Sequence, residues 1–192
     1  CFNIPIVSSN TCKTFHTIHD IRSLSLPTSK LHKFLSNQLH SQVIKKANKI
    51  ITVSDSMKLE ILRFFPEANI SRIYNGIDLQ SFQSLNENDF DAIKSELSIP
   101  DNFLLAVGHF ERRKNYGNLI DAIHLLNSNG IFKPLVIIGK DNGTKKEIKK
   151  KIIDLGLQDQ IKIFSNINNQ DFKLLYKMSD IFVFPSLYEG FG

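Results

Sequence analysis

Short apolar runs alternate with longer segments of helical period along most of the chain. The short runs predict strands, and they fall at residues 15–18, 50–53, 70–74, 103–107, 135–138, 161–164 and 181–184. The longer segments predict helices, at residues 29–47, 54–65, 116–127, 144–155 and 169–177. Strands that alternate with helices indicate right-handed βαβ units and parallel sheets, which is an α/β fold.

Local signals refine this pattern in the first half of the chain. One face of the 29–47 helix is expected to pack on the sheet through Leu31, Leu35, Leu39, Val43 and Ala47. Ser54 is placed to cap the next helix, and Asn75-Gly76 predicts a turn after the strand at 70–74.

Residues 83–102 are polar and acidic and end in Pro-Asp-Asn, which predicts a linker with one short helix. We therefore divide the chain into a first domain at 1–85, a linker at 86–102 and a second domain at 103–192. The chain begins with Cys1 rather than Met, and we interpret both ends as lying inside the structured part of the protein. We expect it to be an internal piece of a longer protein.

Composition and charge narrow the class of protein. Hydrophobic residues make up 42% and charged residues 22%, which is typical of a globular protein. The net charge of +5 is compatible with anionic ligands but does not indicate a nucleic-acid-binding protein. With only Cys1 and Cys12, no disulfide framework is expected, which favours a cytoplasmic location. No apolar run approaches the length of about 20 residues that a transmembrane helix needs.

Basic residues follow the strand predicted at 103–107. Gly108 permits a tight turn, and Arg112, Arg113 and Lys114 precede a helix that begins near Asn115. Three cations and a helix N-terminus would face in one direction, toward an anion such as a diphosphate. The alternative is a solvated basic turn without a ligand.

A glutamate among glycines follows the last predicted strand. Glu189 precedes Gly190 and Gly192, whose backbone N–H groups can approach a ligand closely. A carboxylate at this place would accept hydrogen bonds from sugar hydroxyls, although it is equally compatible with a glutamate in a surface loop.

Histidine and aspartate stand at the end of the strand predicted at 15–18. His19 could donate a hydrogen bond to a substrate oxygen or move a proton. His16, three positions earlier, is expected to pack inside the fold. An isolated histidine is often structural, and the six histidines show no zinc-site spacing, so no metal site is predicted.

Six motifs together resemble the family 4 glycosyltransferases with the GT-B fold. In chain order they are TIHD, ITVSDSMKLEIL, IYNGIDLQSF, LLAVGHFERRKNYGNLIDAI, LVIIGK and LYKMSDIFVFPSLYEGFG. The combination of RKN with PSLYEGFG about seventy positions later is specific. The resemblance implies two Rossmann-like domains with parallel sheets, each incomplete here. The first would bind the acceptor and the second the nucleotide sugar.

The resemblance also implies roles for individual residues. Lys114, with Arg113 beside it and Gly108 before it, would bind the donor diphosphate, and His19 would reach the donor sugar. Glu189 would be the first of two glutamates and would contact the donor sugar. The backbone of Gly190, Phe191 and Gly192 would lie along sugar and phosphate.

One position departs from the family pattern. Many members carry an arginine immediately after the glycine that ends the first strand of the donor domain, and here that position is His109. Phosphate neutralisation would then depend more on Arg113 and Lys114. The family's second glutamate would fall eight positions after Glu189, beyond residue 192.

The expected activity is transfer of a sugar to a glycan or lipid-linked acceptor in polysaccharide biosynthesis, and the resemblance suggests mannose from GDP-mannose as the donor. The resemblance implies retention of anomeric configuration. No cofactor or metal is expected, because Lys114 and Arg113 would stabilise the departing nucleoside diphosphate. The fragment alone is expected to be inactive. Two alternatives remain, namely a GT-B sugar-nucleotide epimerase and a non-catalytic nucleotide-binding paralogue.

Charge order suggests contact with a membrane surface. No acidic residue lies between Asp20 and Asp55, a stretch that contains Arg22, Lys30, Lys33, Lys45, Lys46 and Lys49. A helix with basic margins can bind an anionic bilayer weakly. We therefore expect a protein that is peripheral on the inner face of the membrane, although the lysines are also compatible with a solvated helix.

Overall fold

The chain forms two compact units. The computed structural model describes residues 12–86 and 88–191. The first unit comprises Cys1–Ile77 together with Tyr188–Gly192, and the second comprises Asp78–Leu187. The division between them falls at residue 77, whereas the sequence predicted that the first domain ends at residue 85.

The first unit has a three-stranded parallel sheet in the order β1-β2-β3. Its core lies between the sheet and the helices and includes Ile18, Ile50, Met57 and Ile61. In chain order its elements are β1 (Phe15–Ile18), α1 (Arg22–Ser25), α2 (Lys30–Lys46), β2 (Lys49–Thr52), α3 (Asp55–Phe64) and β3 (Ile70–Arg72).

Our prediction of the apolar face of α2 is wrong for its N-terminal part. Leu31 and Leu35 are exposed, and the buried residues of the helix are Ser36, His40 and Val43. An i, i+4 series rotates about 40° around the helix at each step, so five such positions span too wide an arc to face one sheet. Only the C-terminal part of the predicted face reaches the core.

The turn predicted at Asn75-Gly76 is also absent among the described residues. β3 ends at Arg72, and residues 73–79 form an irregular segment. A two-residue hairpin turn joins antiparallel strands, but β3 pairs with β2 in the parallel orientation.

The second unit has a four-stranded parallel sheet in the order β6-β5-β4-β7. A single 3-10 turn, Arg112–Lys114, follows β4. The elements are α4 (Gln80–Gln83), α5 (Asp89–Leu97), β4 (Leu104–Val107), α6 (Tyr116–Ser128), β5 (Leu135–Ile138), α7 (Lys145–Asp154), β6 (Ile161–Phe164), α8 (Asn169–Met178) and β7 (Ile181–Phe182).

The segment predicted as a linker at 86–102 is part of the second unit. α5 buries Ile93, and Ile99 follows it into the same apolar cluster as Phe103 and Leu174. The acidic composition of the segment reflects the outer face of α5, while its few apolar residues form a third layer on the sheet.

Helices cover both faces of the second sheet. Leu104 and Ala106 of β4 face a cluster formed with α6 and α7, whereas Leu105 faces a cluster formed with α5 and α8. This alternation buries β4 and β5 from both sides, as is typical of parallel sheets.

The order of strands defines a switch point between β4 and β7. From β4 the chain adds β5 and β6 on one side, and β7 then pairs with the opposite edge of β4. Open α/β sheets bind ligands in the crevice outside the carboxyl ends of strands at such a point. Gly108 and Phe184 follow these two strand ends.

Candidate active site

Gly108 provides space at the carboxyl end of β4. Its φ of +148° is unfavourable for other residues, and a Cβ atom there would lie 2.7 Å from Lys114 Cε. A Cβ atom on Gly139, at the end of β5, would lie only 1.9 Å from the Gly108 carbonyl oxygen. The two glycines therefore allow a close backbone approach beneath the Lys114 side chain.

Lys114 lies at the switch point and is 8% exposed. Its Nζ is 4.6 Å from the centroid of the Phe184 ring, which is within the range of a cation–π contact. Asn115 has a left-handed φ of +58°, which lets the chain turn from the 3-10 turn into α6. Lys114 thus brings a cation beside residues that follow both β4 and β7.

Two hydrogen bonds hold the chain after β7 against the 3-10 turn. Asn115 Nδ2 donates to the Pro185 carbonyl at 3.1 Å, and the Leu187 N–H donates to the Arg113 carbonyl at 2.8 Å. These bonds fix Phe184 beside Lys114, so the segment after β7 is joined to the segment after β4.

The three cations that we predicted to face one anion have different surroundings. Arg113 is paired with Glu111, with 2.7 Å between Nη2 and Oε1. Arg112 is exposed and lines a separate depression of about 190 Å³ with Glu111 and Glu147. Lys114 is therefore the cation that the structure places at the ends of β4 and β7, while His109 is exposed.

His19 lies in the first unit, at the carboxyl end of β1, and its side chain is exposed. The Gly190 backbone lies close to the His19 carbonyl, so close that a Cβ atom on Gly190 would be 1.9 Å from the carbonyl oxygen. His16, which we expected inside the fold, is half-buried.

Side chains of the first unit hold the segment 188–191. The Ile21 N–H donates to the Tyr188 hydroxyl at 3.3 Å, and that hydroxyl donates to Glu60 Oε2 at 3.2 Å. Burial, reinforced by the Glu60 charge, raises the pKa of Tyr188 above its usual range, so the hydroxyl remains a donor. Ser54 Oγ donates to the Gly190 carbonyl at 2.7 Å.

The structure thus distributes the predicted site residues between two units. His19, Glu189, Gly190 and Phe191 belong to the first unit, and Gly108, Arg113 and Lys114 belong to the second. Gly192 lies outside the described residues. Within the first unit, Glu189 is half-buried and follows Tyr188 directly.

Sequence reasoning missed three residues that shape these places. Phe184 was recognised only as strand, although it contacts Lys114. Ser54 was recognised only as a helix cap, and Glu60 had no assigned role. The Glu60–Tyr188 bond joins positions 128 residues apart, so no local pattern could reveal it.

The described residues offer neither a metal-binding group nor a membrane-spanning helix. Within residues 12–86 and 88–191, no three His, Cys, Asp or Glu side chains are grouped in a way that could hold a metal ion. Over the same ranges, every helix is too short or too polar to cross a bilayer.

Comparison with known families adds independent evidence. The family described as "Glycosyl transferases group 1" matches residues 88–192, and "Glycosyltransferase Family 4" matches residues 7–81. The O-antigen chain mannosyltransferase RfbU of Salmonella typhimurium is 27% identical over 98% of this chain and 49% of its own length. The serotype-specific mannosyltransferase WbdA of Escherichia coli is 30% identical over 94% of this chain and 23% of its own length. The chain thus spans half or less of these relatives.

Solved structures agree on the fold. HepE from Anabaena, in complex with UDP and glucose, matches with a TM-score of 0.76 at 19% identity. The match covers 94% of this chain and 48% of the HepE chain. Sucrose-phosphate synthase from Thermosynechococcus elongatus matches with a TM-score of 0.73 at 20% identity. The match covers 93% of this chain and 45% of the synthase chain.

Proposed function

This chain belongs to the family 4 glycosyltransferases of the GT-B fold, and we propose that the full-length protein transfers a sugar from a nucleoside-diphosphate donor to a glycan or lipid-linked acceptor. The observation that carries this proposal is the position of Lys114. Its ammonium lies at the carboxyl ends of β4 and β7, the switch point where an α/β sheet binds ligands.

Lys114 would act on the leaving group. When the bond between the sugar and the diphosphate breaks, negative charge grows on the diphosphate oxygens, and a fixed cation stabilises that charge most strongly where water is excluded. The Lys114 side chain is already held by Gly108 and Phe184, so little reorganisation is needed. Arg113 contributes less, because Glu111 partly compensates its charge.

The β1 end would serve the sugar. Glu189 would accept hydrogen bonds from donor hydroxyls, and the exposed His19 would approach the reacting centre. The glycine at 190 brings the segment 188–191 against the His19 carbonyl, which places both residues at one strand end.

The donor we propose is GDP-mannose, with retention of configuration and without a metal ion. Several relatives are named mannosyltransferases, which supports mannose, whereas HepE was solved with UDP. The test is to supply the purified full-length protein with a panel of nucleotide sugars and acceptor glycans, with and without a chelator. Transfer from GDP-mannose that survives chelation is expected. Interconversion of the donor without transfer would instead identify an epimerase, and binding without turnover would identify a paralogue that has lost activity.

A location on the cytoplasmic face of the membrane is the remaining part of this proposal. Lys45 and Lys46 are exposed on α2, and Lys49 follows. At the other end of the helix, Leu31 and Phe34 are 66% and 59% exposed. A helix that carries both exposed cations and exposed apolar side chains favours weak binding to anionic lipid.

Vesicle sedimentation tests this location. Binding of the full-length protein to anionic vesicles should weaken with salt and be lost when Lys45, Lys46 and Lys49 are changed to glutamate. Changing Lys146, Lys149 and Lys150 on α7 to glutamate is the matched control, since it alters the net charge equally and should leave binding intact. Equal sedimentation with neutral and anionic vesicles would contradict the proposal.

A further inference from the structure

Glu60 has both carboxylate oxygens engaged, although the proposed chemistry does not use it. It lies on α3, half-buried; Oε1 accepts a hydrogen bond from Ser25 Oγ, and Oε2 accepts one from the Tyr188 hydroxyl at 3.2 Å. The Tyr188 ring packs against the core of the first unit. A half-buried hydroxyl bonded to a carboxylate is a charge-assisted and directional attachment.

Ser54, the residue that caps the start of α3, provides a second attachment. Its Oγ accepts from the Met57 N–H at 3.1 Å as a helix cap and donates to the Gly190 carbonyl at 2.7 Å. One hydroxyl thus fixes the start of α3 and the backbone of Gly190 together. The bond requires a donor, which distinguishes serine and threonine from aspartate, another residue that caps helices.

The two attachments bracket Glu189. Tyr188 is held on one side and the Gly190 carbonyl on the other, while the absence of a side chain at Gly190 permits contact with the His19 carbonyl. A residue fixed on both sides has few backbone conformations left, so its carboxylate is presented in a defined direction.

We propose that Glu60 and Ser54 are positioning residues, which hold the segment 188–191 against the carboxyl end of β1 so that Glu189 and His19 share one site. This rests on the proposed function for its catalytic consequence but not for the attachment itself. Loss of either attachment should let Glu189 move. A misplacement of about 1 Å can lower a rate by about 10²-fold.

Matched variants separate attachment from folding. Ser54→Asp keeps an acceptor for the Met57 N–H but cannot donate to Gly190, whereas Ser54→Thr keeps both functions. Tyr188→Phe removes the hydroxyl between Ile21 and Glu60, and Glu60→Leu removes its acceptor. Glu96→Leu, an exposed position on α5, is the control for substitution of a surface carboxylate.

Hydrogen exchange in the full-length protein reads the attachment directly. The amides of residues 189–191 should exchange at least about tenfold faster in Ser54→Asp, Tyr188→Phe and Glu60→Leu, because local release exposes them to water. Exchange should stay at the wild-type rate in Ser54→Thr and Glu96→Leu. Unchanged exchange in Ser54→Asp and Glu60→Leu, with melting temperatures near wild type, would overturn the proposal.

Kinetics then test the catalytic consequence. With GDP-mannose, Ser54→Asp should lower kcat by about 10- to 100-fold with little change in the affinity for GDP, and Ser54→Thr should restore it. A loss of GDP affinity equal to the loss of kcat would overturn the positioning role. If no nucleotide sugar supports transfer by the wild type, the proposed function fails, whereas the exchange result still decides the attachment.

Discussion

The carboxyl ends of β4 and β1 each present a candidate active-site residue, and the two differ in how firmly the fold holds them. Lys114 is 8% exposed, with Gly108 beneath its stem and the Phe184 ring beside its ammonium. His19 is exposed, and the backbone of Gly190, from a segment distant in sequence, lies close to its carbonyl.

This difference follows from the strands themselves. β4 and β5 are buried on both faces, so the backbone that leads into Gly108 is fixed by two apolar clusters. β1 buries only Ile18 fully, and Phe15 is 58% exposed. In the proposed function, the more rigid end would bind the diphosphate, whose geometry does not vary between donors, and the exposed end would bind the sugar and acceptor, which do vary.

Loss of the Lys114 charge should produce the largest effect. Lys114→Met keeps an unbranched apolar stem over Gly108 but removes the cation, and turnover of the full-length enzyme should fall by about 10²-fold or more. Lys150→Met on α7 is the control, because that lysine is solvated. Steady-state kinetics would refute the assignment if Lys114→Met retained wild-type turnover.

Two glycines test how firmly each strand end is held. Gly139→Ala places a Cβ atom 1.9 Å from the Gly108 carbonyl within a packed sheet and should lower the free energy of unfolding by about 3 kcal/mol. Gly190→Ala meets the His19 carbonyl equally closely, but relief requires only that the half-buried segment 188–191 give up its attachments, so the unfolding free energy should fall by about 1 kcal/mol.

The control for both glycines is Gly117→Ala. Gly117 lies in α6 with its nearest neighbour 3.9 Å away, so alanine should leave stability unchanged or raise it by about 1 kcal/mol. Chemical denaturation measures all three variants. Equal losses for Gly139→Ala and Gly190→Ala would show that the two strand ends are held alike.

Local sequence patterns predicted most of the secondary structure. The strands at 15–18, 135–138 and 161–164 agree in both bounds, because each is a short apolar run between turns. The errors arose where distant packing decides. The face of α2 depends on which side meets the sheet, and the segment 86–102 looked like a linker because its buried residues, Ile93 and Ile99, are few.

The candidate site was predictable only in part. Lys114 and His19 follow predicted strands, so their places at strand ends could be anticipated. The partners of each side chain could not, such as the pairing of Arg113 with Glu111 and the place of Arg112 in a separate depression. The contacts of Glu60 and Ser54 with the segment 188–191 depend on tertiary structure alone.

The two histidines of β1 sharpen the comparison with a smaller effect. His19→Ala should lower transfer by about tenfold or more, since a positioned side chain contributes at this scale. His16 is half-buried on the same strand, and His16→Ala should cost less than about 1 kcal/mol of stability and leave transfer nearly unchanged. Loss of transfer in His16→Ala alone would show that the wrong histidine was chosen.

The smallest expected effect is a pH dependence of the first unit. His40 is 3% exposed on α2, and burial lowers its pKa although the Asp20 charge opposes this. The unfolded chain therefore takes up a proton on His40 at a higher pH than the folded protein does. The free energy of unfolding should accordingly decline as the pH falls below about 6.5. His40→Gln should reduce this decline, whereas exchange of the exposed His124 for Gln should not. An unaltered pH profile in His40→Gln would contradict the assignment.

Calorimetric titration of the full-length protein with GDP and UDP tests the central claim most directly. If Lys114 binds the diphosphate and His19 acts on the sugar, Lys114→Met should weaken binding of the preferred nucleotide by at least about tenfold, as loss of a charge-assisted contact implies. His19→Ala should bind that nucleotide within about twofold of the wild type, because it removes no phosphate contact. Wild-type affinity in Lys114→Met, or a larger loss in His19→Ala, would contradict the account.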